Sequence, residues 1–275
     1  MTRIYATTTG LVLERAGHCV APARPLSIDD LFRSPDASAL VDTVFAEGRV
    51  TSAPTSVLAP VQSQEVWAAG VTYLRSKSAR MAESKDAGGG TFYDKVYEAD
   101  RPELFYKSAP QRVAAPGTPV RIRADSRWNV PEPELTLAIN AAGQIFGYTL
   151  GNDMSSRDIE GENPLYLPQA KVYDRSAALG PCLVVTNTLP VAESVIAIEI
   201  RRGGAAVFAG ETTVGRIKRP LPALAAWLYR ELSFPQGAYL MTGTGIVPPD
   251  AFTLQAGDEI RITLAAVGTL VNTVG

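Results

Sequence analysis

The sequence predicts a β-rich α+β fold, with a small N-terminal α/β-type unit over residues 1–62 and a larger domain over residues 63–275. Three observations carry this expectation. From residue 65 onward, short apolar runs separated by glycine and proline turns dominate the chain. Strands and helices do not alternate and no segment repeats, which argues against a doubly wound sheet. The clearest amphipathic helix, Pro220–Leu232, comes late and alone, as a peripheral element would.

Taken in order, short strands around Ile4 and Leu11–Leu13 open the chain. Ser27 with Asp30 three residues on is a capping-box pair, so a helix starts there. A second helical pattern runs from Asp36 to Ala46, and Ala53–Pro60, with two prolines and few charges, reads as a linker. Val66–Val71 reads as a strand, Leu74–Lys85 as a polar helix, and Asp86-Ala-Gly-Gly-Gly-Thr as a flexible loop. Leu135–Asn140 and Ile145–Leu150 form a hairpin around Ala-Ala-Gly-Gln. Ser194–Arg201 and Ala206–Gly210 form another, turning at Arg202-Gly-Gly. Asp258–Leu264 and Thr269–Val274 close the chain as a last strand pair.

Composition narrows the chemistry. A net charge of −2 gives no electrostatic case for nucleic acid or an anionic membrane. The start, MTRIYATTTGLVLE, lacks a signal-peptide apolar region, and no later run is long enough to span a bilayer. Cys19 and Cys182 are too few for a disulfide framework or a thiolate zinc site, so a reducing cytoplasm is the expected location. The single histidine, His18, lies in the N-terminal unit and is expected at the surface. Serine–histidine catalysis and multi-histidine metal sites are therefore disfavoured, which leaves carboxylates, lysine, hydroxyls and a hard metal.

The informative stretch is Trp-Asn-Val-Pro-Glu-Pro-Glu-Leu-Thr-Leu-Ala-Ile, residues 128–139. Pro131 and Pro133 hold the backbone extended, so Glu132 and Glu134 point to one side, with their Cα atoms roughly 7 Å apart. Two readings stand on spacing alone: a solvated strand end, or a pair of ligands sharing a cation. The hairpin returns Asn152-Asp153 toward this entrance, and a third carboxylate there makes an oxygen cluster suited to Mg²⁺ or a similar hard cation. Downstream, Arg157, Asp158, Glu160, Glu162 and Lys171 crowd a segment rich in glycine and proline.

These motifs in this order resemble the fumarylacetoacetate hydrolase family over roughly residues 65–275. They are Phe105-Tyr-Lys107, Glu132-Pro-Glu134, Asn152-Asp153, Arg157-Asp158, Lys171, Gly180-Pro181 and the loop Thr242-Gly-Thr-Gly-Ile-Val-Pro248. The resemblance implies a β-roll catalytic domain and Mg²⁺, with Mn²⁺ or Ca²⁺ as substitutes, on Glu132, Glu134 and Asp153. It also implies a chelating 2-oxo acid or diketone as substrate, and a homodimer or homotetramer. Hydrolytic relatives carry Gly-x-Asn-Tyr-x-x-His, whereas this chain reads Gly70-Val-Thr-Tyr73-Leu-Arg-Ser76. Arg101-Pro-Glu103-Leu-Phe-Tyr-Lys107 and the run from Arg157 to Lys171 instead resemble the family's sugar-acid dehydratase branch.

That branch implies a hydro-lyase of sugar-acid catabolism, removing water from a 2-keto-3-deoxy pentonate, such as the D-arabinonate or xylonate, to give 2,5-dioxopentanoate by metal-assisted enolisation. Lys171 and Glu103 are then the acid–base pair, with their two roles open to exchange. Arg157 orients the metal shell or the substrate carboxylate, and Thr244 hydrogen-bonds substrate. Tyr73, Ser76 and Lys107 are further substrate contacts, with Tyr73 and Ser76 on a lid hinged at the triple glycine. The alternatives are a metal-dependent hydrolase of acylpyruvate-type diketones and a non-catalytic oxo-acid binding protein.

Overall fold

The structure, a computed structural model, describes residues 1–74 and 90–275, without the side chains of residues 90–93. The N-terminal hairpin β1 (Thr2–Thr7) and β2 (Gly10–Arg15) extends into β3 (His18–Ala21). The turn between β2 and β3 is tight because Ala16 and Gly17 both take positive φ. Helices α1 (Ile28–Arg33) and α2 (Ala37–Glu47) follow, then β4 (Arg49–Thr51). The capping box at α1 is present in both directions, Ser27 accepting from the Asp30 amide and Asp30 from the Ser27 amide. The expected linker is tied down within it, since the Leu58 amide donates to Ala6 O.

The larger part contains β5 (Glu65–Gly70), α3 (Gly90–Glu98), β6 (Glu103–Ser108), β7 (Val113–Ala114), β8 (Asn129–Val130), β9 (Pro133–Ile139) and β10 (Ile145–Asp153). After it come β11 (Ser155–Ser156), the short helices α4 (Arg157–Glu162) and α5 (Leu167–Lys171), and β12 (Ala177–Val185). The hairpin β13 (Val195–Arg202) and β14 (Ala205–Thr213), helix α6 (Leu221–Leu228), β15 (Ala238–Met241), β16 (Glu259–Leu264) and β17 (Gly268–Thr273) complete the chain.

Among the described residues the main sheet runs β4-β3-β2-β1-β12-β10-β9-β15-β5-β6, with β7 beside β12. Residues 1–62 thus share one sheet with the rest of the chain, through antiparallel β1–β12 pairing. A second sheet, β14-β13-β16-β17, packs on one face of the first. Strand β9 is buried along its whole length, and its alternation sorts the layers. Leu135, Leu137 and Ile139 face Ile196, Ile198, Ile260 and Leu224, whereas Ala138 joins Ile28, Leu31, Phe32 and Val41 on the other side. Phe32 makes edge contacts with Phe146 and Tyr239 at 4.8 and 4.9 Å.

Helix α6 is shorter than the periodicity of Pro220–Leu232 predicts. Tyr229 leaves the helix to donate its hydroxyl to Ile139 O and to pack against Phe234 in the core, so tertiary contacts end the helix before the apolar spacing does. Strand β5 stops at Gly70 because Val71 takes φ 53°, a left-handed conformation that is strained for a β-branched residue. The expected polar helix and most of the glycine loop lie outside the described residues.

Candidate active site

Strand β9 starts at Pro133, which needs no ladder donor at that first position. Its partner β10 runs antiparallel, setting Gly151 opposite Glu134 and Asn152 opposite Pro133. The ladder closes with the Asp153 amide on Glu132 O at 3.0 Å. One oxygen from each of Glu132, Glu134 and Asp153 therefore comes within 4.8 Å of the others. All three carboxylates are buried, at 6%, 1% and 1% exposure, so water does not solvate them as it would an exposed acidic patch. An all-oxygen set of this kind matches the donors preferred by Mg²⁺, Mn²⁺ or Ca²⁺.

The carboxylates sit at the floor of a pocket whose walls include Gly70, Val71, Phe105, Lys171 and Thr244. Lys171 Nζ lies 2.6 Å from Glu132 Oε2, 3.1 Å from Asp153 Oδ2 and 2.5 Å from Ser155 Oγ. The Phe105 ring lies 5.8 Å from the same nitrogen. Arg157, 2% exposed, donates from Nη1 to Glu132 Oε1 at 2.6 Å. Glu134 accepts from the Gly243 amide at 2.6 Å. Burial, and then the charges of Asp153 and Glu132, push the Glu134 carboxyl well above its ordinary range.

Glu103 approaches from β6, opposite Gly70 of β5. Gly70 is what lets it lie there, since a Cβ at that position would come 1.8 Å from Glu103 Oε2. Thr244 is buried at the pocket wall and its Oγ1 accepts from the Ile246 amide at 3.2 Å. Tyr73 is 2% exposed and bridged to Ile217. Its phenol is pushed upward by burial and by the Glu134 charge, which keeps it protonated. Lys107 is fully buried beneath the carboxylates, 2.5 Å from Asp153 Oδ1. Burial pulls its ammonium downward, opposed by Asp153. Ser76 lies outside the described residues. His18 is exposed on β3, in the N-terminal part.

Residues 65–275 match the family model described as fumarylacetoacetate (FAA) hydrolase C-terminal. The chain belongs to the fumarylacetoacetate hydrolase family. Within that family, a Haloferax volcanii protein named probable 2-keto-3-deoxyxylonate dehydratase is 43% identical over 236 residues, spanning 86% of this chain and 78% of that one. The 2-dehydro-3-deoxy-D-arabinonate dehydratase of Saccharolobus solfataricus is 38% identical over 218 residues, spanning 78% and 73%. A solved structure of 2-keto-3-deoxy-D-arabinonate dehydratase complexed with magnesium and 2,5-dioxopentanoate superposes with a TM-score of 0.78 at 29% identity, over 99% of this chain and 98% of that one. The β-rich α+β fold expected from the sequence is thus the fold of these relatives.

The family's ordered motifs converge in space, except for Gly180-Pro181, where Gly180 lies against Pro116. Phe105-Tyr-Lys107 supplies one wall and the cation under Asp153, while the loop after β15 brings the Gly243 amide to Glu134. Gly243 is confined to glycine there, with φ 91° and Thr72 Oγ1 2.0 Å from where a Cβ would stand. The sequence motif marks that glycine only as part of a loop, and Ser155 stands outside every motif. Ser155 carried a signal in hindsight, two residues after Asp153 on an extended chain.

Proposed function

We propose that this chain is a Mg²⁺-dependent hydro-lyase that converts a 2-keto-3-deoxy pentonate to 2,5-dioxopentanoate and water. The observation that carries this reading is the pairing of a buried three-carboxylate cluster with Lys171 in a pocket that contains no imidazole. Such a set holds a hard cation and moves protons, but lacks the usual side chain for activating water. The 43% and 38% identical dehydratases support the same assignment, as does the related structure with magnesium and 2,5-dioxopentanoate.

Glu132, Glu134 and Asp153 would hold the ion. A bound Mg²⁺ supplies Lewis acidity, drawing electrons from a chelated 2-oxo acid and making its C3 protons acidic. Lys171 Nζ takes a proton from C3, and Glu103 protonates the departing C4 hydroxyl, so that water leaves and a C3=C4 bond forms. Proton transfer from C5 to C3 then gives an enol that tautomerises to the aldehyde. Exchanging the roles of Lys171 and Glu103 leaves the same balance. Arg157 fixes Glu132, Tyr73 is a protonated donor near Glu134, and Thr244 sits where a substrate hydroxyl reaches the wall. Ser76 is assigned to substrate on the sequence motif alone.

We further propose a cytoplasmic homodimer or homotetramer. The motif resemblance supports the assembly, and the free, buried Cys19 and Cys182 are consistent with the location. No helix among the described residues is long and apolar enough to cross a membrane. Incubation with a 3-deoxy-2-oxo pentonate and, separately, with acetylpyruvate tests the activity. Aldehyde formation from the first is expected. Pyruvate release from the second alone would support a hydrolase, and two unchanged compounds would leave a binding protein. Sedimentation as a monomer at micromolar concentration would overturn the assembly.

A further inference from the structure

The Lys107 ammonium has three donors, and three protein acceptors surround it. They are Met154 O at 3.0 Å and the main-chain carbonyl of Lys171, to both of which it donates, and Asp153 Oδ1, its ion-pair partner at 2.5 Å. The side chain is wholly buried and does not line the pocket. Its acceptors belong to different elements, the end of β10 and the last residue of α5, while Lys107 itself stands on β6.

Helix α5 is five residues long, too short to hold itself in place. Lys171 is its last residue, and the carbonyl there has no partner within the helix. Lys107 Nζ and Ser176 Oγ, the latter at 2.9 Å, both donate to that oxygen. A cation at a helix C-terminus also meets the negative end of the peptide dipoles. The same nitrogen thus fixes one carboxylate of the metal-binding set and the backbone from which the proton-transferring side chain projects.

We propose that Lys107 is a positioning residue: it locks Asp153 to the backbone of Lys171 and does not touch the substrate. This rests on the reading of Asp153 as a ligand and Lys171 as the proton-transfer group. It replaces the substrate contact that the sequence motif suggests for Lys107 with an indirect role. Mobility of α5 relative to β10 would displace Lys171 Nζ while leaving the other pocket walls unchanged.

The test is Lys107→Met, which keeps length and removes charge and donors. With saturating Mg²⁺, kcat should fall roughly 10- to 100-fold, the usual cost of losing such an outer partner, while KM for the pentonate stays within about threefold. Calorimetric titration with Mg²⁺ alone, without substrate, should show affinity weakened roughly tenfold. That arm keeps its meaning even if the pentonate is not the substrate. A raised KM with kcat retained would make Lys107 a substrate contact. Wild-type kcat and Mg²⁺ affinity with only a lower Tm would make it part of the packing. Either result overturns the proposal. Should the variant not fold, a crystal structure of the wild-type protein with Mg²⁺ and 2,5-dioxopentanoate decides instead. Lys107 Nζ should keep its three protein acceptors, and a ligand atom within hydrogen-bond distance of it would refute the assignment.

Discussion

Gly70→Ala is the smallest change that tests whether Glu103 acts from where it stands. The added methyl would come 1.8 Å from Glu103 Oε2, 2.6 Å from Cδ and 3.3 Å from Cγ. Ordinary contact begins near 3.4 Å, so the carboxylate must withdraw by about 1.6 Å. What yields is the end of a flexible side chain, and the backbone of Gly70 lies outside the left-handed region, so the fold should survive. Alanine is also better tolerated than glycine within a strand. A misplacement of about 1 Å in a reacting group costs on the order of 10²-fold, ~2.7 kcal/mol in barrier height. The expected outcome is a Tm close to that of the wild type and a kcat for dioxopentanoate formation about 10²-fold lower. Adding Gly70→Ala to Glu103→Gln should lower kcat little further, because both changes remove the same group. A folded Gly70→Ala protein with wild-type kcat would refute the argument, since a displaced Glu103 would then be doing nothing for the reaction.

Three further outcomes follow from the same geometry. Asp153→Asn and Glu134→Gln each remove one charge from the cation-binding oxygens at constant size, so turnover should be abolished with far-UV circular dichroism preserved; near wild-type turnover in trace metal would remove the metal-site assignment. The raised Glu134 carboxyl favours the protonated form in the metal-free fold, so its contribution to stability is complete below the ordinary value of 4.5 and is lost as pH rises through the raised one. Mg²⁺ needs the carboxylate, so its affinity should run the other way and increase over that window with release of a proton. Titrations in two buffers of different ionisation enthalpy should detect that proton, and Glu134→Gln should abolish it. Chelation should stop the reaction and Mg²⁺ or Mn²⁺ restore it, while borohydride during turnover should leave the protein mass unchanged; a reduced adduct on Lys171 with activity surviving chelation would point to a Schiff base instead.

Much of this site is legible in local sequence because it is built from short-range rules. The i, i+2 spacing of Glu132 and Glu134 places both on one face, and the β9–β10 hairpin then returns Asp153 to them. The roles of Lys107 and Gly243 are not legible this way. Each depends on strands brought together by non-local pairing, β15 against β9 and β5 against β6. The same holds for the end of α6, where Tyr229 answers to a carbonyl on β9, and for β3 and β4, which are too short to show a period. Periodicity reports what one element buries; it is silent on which distant backbone atom a side chain will meet.

Three carboxylates gathered out of water would repel one another, yet the fold supplies each with a donor of its own. Arg157 takes Glu132, Lys107 takes Asp153, the Gly243 amide takes Glu134, and Lys171 spans Glu132 and Asp153. Three cationic side chains thus meet two of the carboxylates, Glu132 and Asp153, while Glu134, which burial biases toward its protonated form, meets an amide. A buried charge stripped of its partner would be strongly destabilising, so this matching explains how the chain folds with its oxygens already converged. It also separates the cations by task. Arg157 cannot lose its proton under physiological conditions, and Lys107 is closed in by acceptors behind the floor. Lys171 alone among the three lines the pocket. The acceptors that hold its ammonium there are Glu132 Oε2, Asp153 Oδ2 and Ser155 Oγ. On the proposed function, a cation held by Glu132 and Asp153 would draw on the same two carboxylates as the Lys171 ammonium, which would couple ion binding to the proton on that lysine.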